Sequence, residues 1–340
     1  MTRFPTTIYL GIGVLSATAA FADLQYEMTS RATGGAVVNM PIIGGRMKEP
    51  HTTVHYLKGN RMATVTKGTS SIWDLDAGTV TTIHTDKKSY SVMTFEQMRQ
   101  SMEDAMKQMQ QAAGPKKSDV EYTWKVDVQD AGDEKSVAGF NAHHFIITMT
   151  GEASDASGGG VAGLKMIMDN WMAKNVPGMK EYHDFYKRMA EKMGMDVSSG
   201  INPMVRAQLG SGWETAAKEM AKMQGFAVLS VMRTISTQNG QDMMVPEGSQ
   251  QKGPSAGDVA KEGAAGAVLG RLPGGLGGLG GLGRKKKQEE PAAQQGGKMV
   301  PATQIEFTTE LTNLVNGGFD NAVFAVPAGF KLVEDKRFKN

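Results

Sequence analysis

Between Asp23 and Met93 apolar and polar residues alternate with a period of two, and turn-forming residues interrupt the alternation at short intervals. Thr52, Val54 and Tyr56 fall on one face of a strand, and Thr53, His55 and Leu57 on the other. Gly59-Asn60 breaks that run as a hairpin turn does, and Met62 to Thr66 returns. Ile72 to Leu75 comes next, Asp76-Ala77-Gly78 turns it, and Val80 to Thr85 pairs back before Asp86-Lys87-Lys88 turns again into Tyr90 and Val92. Connections this short join antiparallel neighbours, whereas a parallel pair needs a crossover of a dozen or more residues. The first part of the chain is therefore confined to a meander of short hairpins.

Helical spacing follows. Thr94 and Gln97 match a capping box, and Phe95, Met98, Met102, Met106 and Met109 fall on one helical face until Gly114-Pro115 ends it. Tyr122, Trp124, Val126 and Val128 alternate as a strand, and Ala138 to Thr150 forms another with His143, Phe145, Ile147 and Met149 on one face. Leu164, Ile167, Met168, Trp171 and Met172 read as the stripe of a helix stopped by Asn175-Val176-Pro177. Met179, Tyr182, Phe185, Met189 and Met193 stripe a second helix, and Ser211 with Glu214 opens a third that runs through Met223. Phe226 to Thr237 and Thr303 to Leu314 read as strands, and Phe324 to Phe330 closes the chain.

Two segments stand apart. Residues 1–22 have the form of a secretory signal peptide: Arg3, a short apolar run from Ile8 to Ala20, and the small-x-small site Ala20-Phe21-Ala22, with cleavage expected after Ala22. Residues 246–300 hold 15 of the 42 glycines and no aromatic residue, so they cannot bury enough surface to offset ordering entropy and are expected to be a disordered insertion. The expected organisation is a signal peptide at 1–22, a folded first part at 23–245, the insertion at 246–300 and completing strands at 301–340. With 37 basic against 35 acidic residues, charge gives no reason to expect a nucleic-acid partner. With no cysteine, disulfides, thiolate metal sites and a thiol nucleophile are excluded, and in an oxidising periplasm stability must come from packing. The fold class is α+β: an antiparallel sheet curved into a half-barrel, with helices on its concave face.

Several short segments, in order, resemble an uncharacterised family of secreted bacterial proteins that looks related to the LolA/LppX-like periplasmic lipoprotein and lipid carriers. They are Tyr56-Leu57-Lys58-Gly59-Asn60-Arg61-Met62, Ile72-Trp73-Asp74-Leu75-Asp76, Lys87-Lys88-Ser89-Tyr90, Ala138-Gly139-Phe140-Asn141-Ala142-His143-His144-Phe145 and Val326-Pro327-Ala328-Gly329-Phe330-Lys331. The resemblance implies a half-barrel capped by helices around an apolar cavity for acyl chains, makes Asp74 and Asp76 turn residues, and supplies no catalytic residue.

Methionine is the residue type most open to a functional reading, with 25 in the chain. A Met-rich face is a deformable lining for acyl chains, a thioether site for copper(I), or simply core filler. Met106-x-x-Met109 is the nearest match to a copper pattern and has no histidine beside it. His51 and His55 would chelate on a helix, but on a strand they stand ~13 Å apart, too far for one ion. Adjacent His143 and His144 point to opposite faces of a strand. Gly275, Gly277 and Gly280 satisfy G-x-G-x-x-G only inside the glycine run, without the strand and helix the motif needs. Arg284, Lys285, Lys286 and Lys287 follow that run and offer contact with an anionic membrane surface, the alternative being a solvated linker.

The sequence thus leads to a non-enzymatic periplasmic protein, without a cofactor, that holds a hydrophobic small molecule or a lipoprotein acyl chain. Its expected lining is Trp73, Phe95, Met98, Met102, Met106, Met109, Trp124 and Trp171. The alternatives are an envelope interaction module with a filled interior and a Met/His copper-binding protein.

Overall fold

The computed structural model describes residues 23–40, 43–112, 120–155, 162–194, 218, 220–247 and 298–334. The expected signal peptide, most of the Ser211–Met223 helix, and residues 248–297 of the insertion, with Arg284, Lys285, Lys286 and Lys287, lie outside the described residues; the two ends of the insertion expected at 246–300 are not disordered, since Pro246, Met299 and Val300 are strand residues.

The meander forms as its alternation dictates. β1 (Leu24–Gly34) is followed by a short helix α1 (Ile43–Lys48), which the alternation does not announce. Then come β2 (His51–Lys58), β3 (Arg61–Thr66), β4 (Thr69–Asp74), β5 (Thr79–His84) and β6 (Ser89–Thr94), each antiparallel to the one before. Asp74 accepts hydrogen bonds from the backbone N–H groups of Asp76 and Ala77, so it builds the turn between β4 and β5. Helix α2 (Phe95–Ala112) starts on the expected capping box: the Gln97 N–H donates to Thr94 Oγ1 at 3.1 Å, and the Thr94 N–H donates to Gln97 Oε1 at 2.9 Å.

A second meander follows, made of β7 (Val120–Val137), β8 (Phe140–Asp155) and β9 (Ala162–Ala173). Ala138 and Gly139, read from sequence as strand, form the tight turn between β7 and β8, both with positive φ. The segment Leu164–Met172, read as a helix, is strand β9. Its apolar residues fill both faces of the strand, and a strand loaded on both faces loses its period of two and imitates a helical stripe. Helix α3 (Met179–Lys192) lies where its spacing placed it. After it come β10 (Phe226–Gln238), the short β11 (Gln241–Asp242), and a ribbon of β12 (Met244–Pro246) with β13 (Met299–Pro301). β14 (Thr303–Asn316) and a two-residue β15 (Lys331–Leu332) complete the described chain.

All but the β12–β13 ribbon join one large, mostly antiparallel sheet that is not closed into a barrel. Its order is β15-β6-β5-β4-β3-β2-β1-β14-β10-β9-β8-β7, so β14 sits between the two meanders, antiparallel to both β1 and β10. The main core joins Leu24, Tyr26, Leu57, Met62 and Leu75 of the first meander and its turns to Met179, Phe185 and Met193 of the α3 region. Phe185, Leu24 and Leu75 are fully buried there. On the other side of the first meander, Ala63, Ile72 and Ile83 form a smaller cluster. The chain after β14 crosses it with Phe324, Val326 and Phe330 before β15 pairs in parallel with β6.

Candidate functional site

Of the eight residues expected to line a cavity, Trp73, Phe95, Met98 and Trp171 pack in or against the main core. Trp73 and Phe95 meet with ring centroids 6.0 Å apart. Met102, Met106 and Met109 on α2 and Trp124 on β7 have side chains outside the described ones. Among the described residues, side chains of the sheet and α3 pack together in this core, and a half-exposed apolar face lies elsewhere on the sheet.

It lies on β7–β10 and β14. Trp171 packs against the core, so by alternation Asn170 and Met172 take the other face of β9, a face that on β14 and β1 runs on past Thr309 and Ser30 to Leu311 and Met28 of the main core. On that face the register aligns one side chain from each strand: Val128, Ile147, Met168, Met232 and Phe307, ending at Ala32 of β1. The adjacent row is Val126, Met149, Met166, Thr234 and Ile305, and Trp124 takes the next register position on β7, opposite Gly151. Ala32, Ile147 and Thr234 are buried, Val126, Val128, Met149, Met166, Met168, Met232, Ile305 and Phe307 are half-exposed, and none of these belongs to either packed cluster.

Two residues along each strand the character changes. The row Asp130, Phe145, Asn170, Ser230, Thr309 and Ser30 is mostly polar, and Ser30 and Thr309 share a 3.0 Å hydrogen bond. The last row, Glu134, His143 and Met172, opens into a pocket of about 620 Å³. Its floor is Val128, Phe145 and Met172, and its walls carry Asp130, Glu134, His143, Lys174 and Lys222. From Met149 to His143 is six residues, ~20 Å at ~3.3 Å per residue.

A bulge builds the charged end. Between Asp130 and Glu134 β7 advances four residues where β8, from Phe145 to His143, advances two. Gly132 takes the left-handed conformation inside the bulge, with φ of +76°. His143 holds both flanks of it: Nε2 donates to Asp130 Oδ1 at 2.5 Å, and Nδ1 stands 3.7 Å from Glu134 Oε1. The Asn141 amide donates to Glu134 Oε2 at 3.1 Å. The His143 hydrogen bond and the Gly132 N–H hold the Asp130 carboxyl below the usual carboxylate range, so it stays ionised. Asp130 and Glu134 sit at different nitrogens of His143, which suits positioning of the carboxylates rather than joint chelation of an ion.

His144 secures the same bulge from behind. It stacks on Trp171 with centroids 4.3 Å apart, and its Nε2 lies 3.1 Å from Asp169 Oδ1 while Nδ1 lies 3.4 Å from Asp133 Oδ2. Asp169 also pairs with Arg233, and Lys135 Nζ sits 3.8 Å from the Trp171 ring centroid. The two histidines do face opposite sides, as a strand requires.

Sequence spacing found part of this face, because it set Val126 with Val128, and His143 with Phe145, Ile147 and Met149. It missed Met166 and Met168 as strand residues, and nothing local announces that Met232 and Phe307 are their neighbours. Asp130 and Glu134 carry only a weak signal, the Gly132 between them. Compared with known proteins, the chain matches no family model and no curated sequence.

Proposed function

We propose that the chain is an exported, non-enzymatic, periplasmic protein that binds an amphiphile, a lipid or a lipoprotein acyl chain, on the open face of β7–β10 and β14. One observation carries this reading: two apolar rows run side by side across these strands, and on the same face, beyond a mostly polar row, the β7–β9 end carries a charged pocket. Half of a bilayer's ~30 Å hydrocarbon core is ~15 Å, so the ~20 Å from Met149 to His143 accommodates a chain with its polar end in the pocket. Each methylene removed from water contributes ~0.8 kcal/mol. The resemblance to LolA/LppX-like carriers belongs to this reading, as does a sheet curved into a half-barrel with its helices on the concave face. Contact with a membrane through Arg284–Lys287 belongs to it too. The test is native mass spectrometry and solvent extraction of the purified protein, with uptake of an apolar dye. The expected result is a co-purifying amphiphile, with dye uptake lowered at least tenfold by Met168→Asp.

The filled core between the sheet and α3 favours a second reading, an envelope interaction module without a ligand. Absence of any bound amphiphile, with dye uptake equal in the wild type and Met168→Asp, would leave that reading standing alone.

A further inference from the structure

Resting on the amphiphile reading, the distribution of charge in the pocket narrows the ligand class: we infer that the site selects a lipid whose headgroup is a zwitterion, a primary amine joined to a phosphate. The pocket carries both signs and keeps them apart, the acidic groups on β7 and the basic ones on the chain between β9 and β10. Asp130 and Glu134 lie on β7, at the outer edge of the sheet, with His143 beside them on β8. Lys174 follows β9, and Lys222 precedes β10. Strands lie ~4.8 Å apart, so the backbone at the end of β9, where Lys174 stands, is two strand spacings, ~10 Å, from β7, and the start of β10 after Lys222 is three. An amine and a phosphate joined by a two-carbon link, with one hydrogen bond of ~2.8 Å at each end, spans such a gap.

Bonding capacity points the same way. Asp130 takes both the His143 and the Gly132 hydrogen bonds on Oδ1, so Oδ2 has no hydrogen-bond partner among the described residues. Lys174 forms no hydrogen bond or ion pair among the described residues, yet lies within electrostatic range of Asp130. An ammonium suits the acidic wall and a phosphate the basic one. A purely anionic headgroup would set its charge against two carboxylates that His143 and the bulge hold in place, and like charges so placed reject it. The floor of Val128 and Phe145 is continuous with the apolar rows, which joins the headgroup site to the chain site.

The experiment titrates delipidated protein with short-chain lipids of identical acyl composition that carry either phosphoethanolamine or phosphoglycerol. Glycerophosphoethanolamine, which has the headgroup and no chains, is the third probe. The expected result is binding of the ethanolamine lipid about tenfold tighter than the glycerol lipid, the size of one charge-assisted hydrogen bond. The chainless probe should bind far more weakly than either lipid. Asp130→Asn with Glu134→Gln should bring the two affinities together, weakening the ethanolamine lipid and strengthening the glycerol lipid, and an unchanged circular dichroism spectrum and unfolding midpoint show that the variant is folded. Equal affinities, or a preference for the glycerol lipid, would overturn the headgroup assignment while leaving the amphiphile reading in place. Glycerophosphoethanolamine binding as tightly as the lipid would overturn the lipid source. Failure of every lipid to bind the wild type would remove the amphiphile reading and the headgroup with it.

Discussion

At the scale of the residue, His55 is the side chain whose surroundings most clearly set its chemistry. It projects from β2, stacks on Tyr26 at 4.5 Å with the rings 10° from parallel, and places Nδ1 3.2 Å from Thr64 Oγ1. Burial pulls its pKa down to about 4, because the charged imidazolium would lose water without gaining a carboxylate. In the unfolded chain a histidine titrates near its ordinary value, ~6.5. Between those values the unfolded state binds the extra proton, so stability rises with pH across the window and falls as pH drops from ~6.5 toward 4. The full shift is worth ~3 kcal/mol, which screening at a half-buried site reduces to ~2 kcal/mol. His55→Phe keeps the stack on Tyr26 and has no proton to bind. Urea unfolding at pH 7.5 and at pH 4.5 should therefore show the wild type losing ~2 kcal/mol more than the variant. Identical losses in the two proteins would mean that His55 is not held neutral by the fold.

At the scale of the element, local signals succeeded where one face of an element is apolar and the other is not. The first meander, α3 and the start of α2 were legible for that reason. The capping box carries its own test. Thr94→Ala removes the acceptor for the Gln97 N–H and should cost ~1 kcal/mol in the denaturant midpoint, with Thr94→Ser restoring most of it. Equal midpoints in all three proteins would show that α2 is held by Phe95 and Met98 against the core and not by its cap. β9 was illegible because Met166 and Met168 load one face while Ile167 and Trp171 load the other, and a two-sided strand has no alternation to read. The candidate site was legible strand by strand but not as a surface. Val128, Ile147, Met168, Met232 and Phe307 become one row only through pairings between distant strands, and no period in the sequence encodes those. The bulge at Gly132 was hidden for a related reason: extra residues in a ladder are visible only once the partner strand is known.

At the scale of the whole molecule, β14 decides the architecture. Without it the sheet is two meanders; with it, β1 and β10 are joined through one shared neighbour and the apolar rows extend to Phe307 and Ile305. β14 reaches that position after the Gly-rich segment, and the ribbon at its root explains how the segment can be long without disturbing the sheet. Met244 pairs with Pro301 and Pro246 with Met299, so the chain leaves and re-enters at adjacent points. Replacing residues 248–297 by a four-residue glycine–serine link should therefore preserve the fold. Shortening a connection that contributes no packing from about 50 residues to about 4 lowers its closure entropy by ~2 kcal/mol, so the unfolding midpoint should rise. Amphiphile binding on the β7–β10 and β14 face should persist in the shortened protein, because none of the residues assigned to that face is removed. A lower midpoint would instead mean that the segment contributes packing to the folded state. Loss of binding with an unchanged midpoint would move the site from the sheet face to the segment itself.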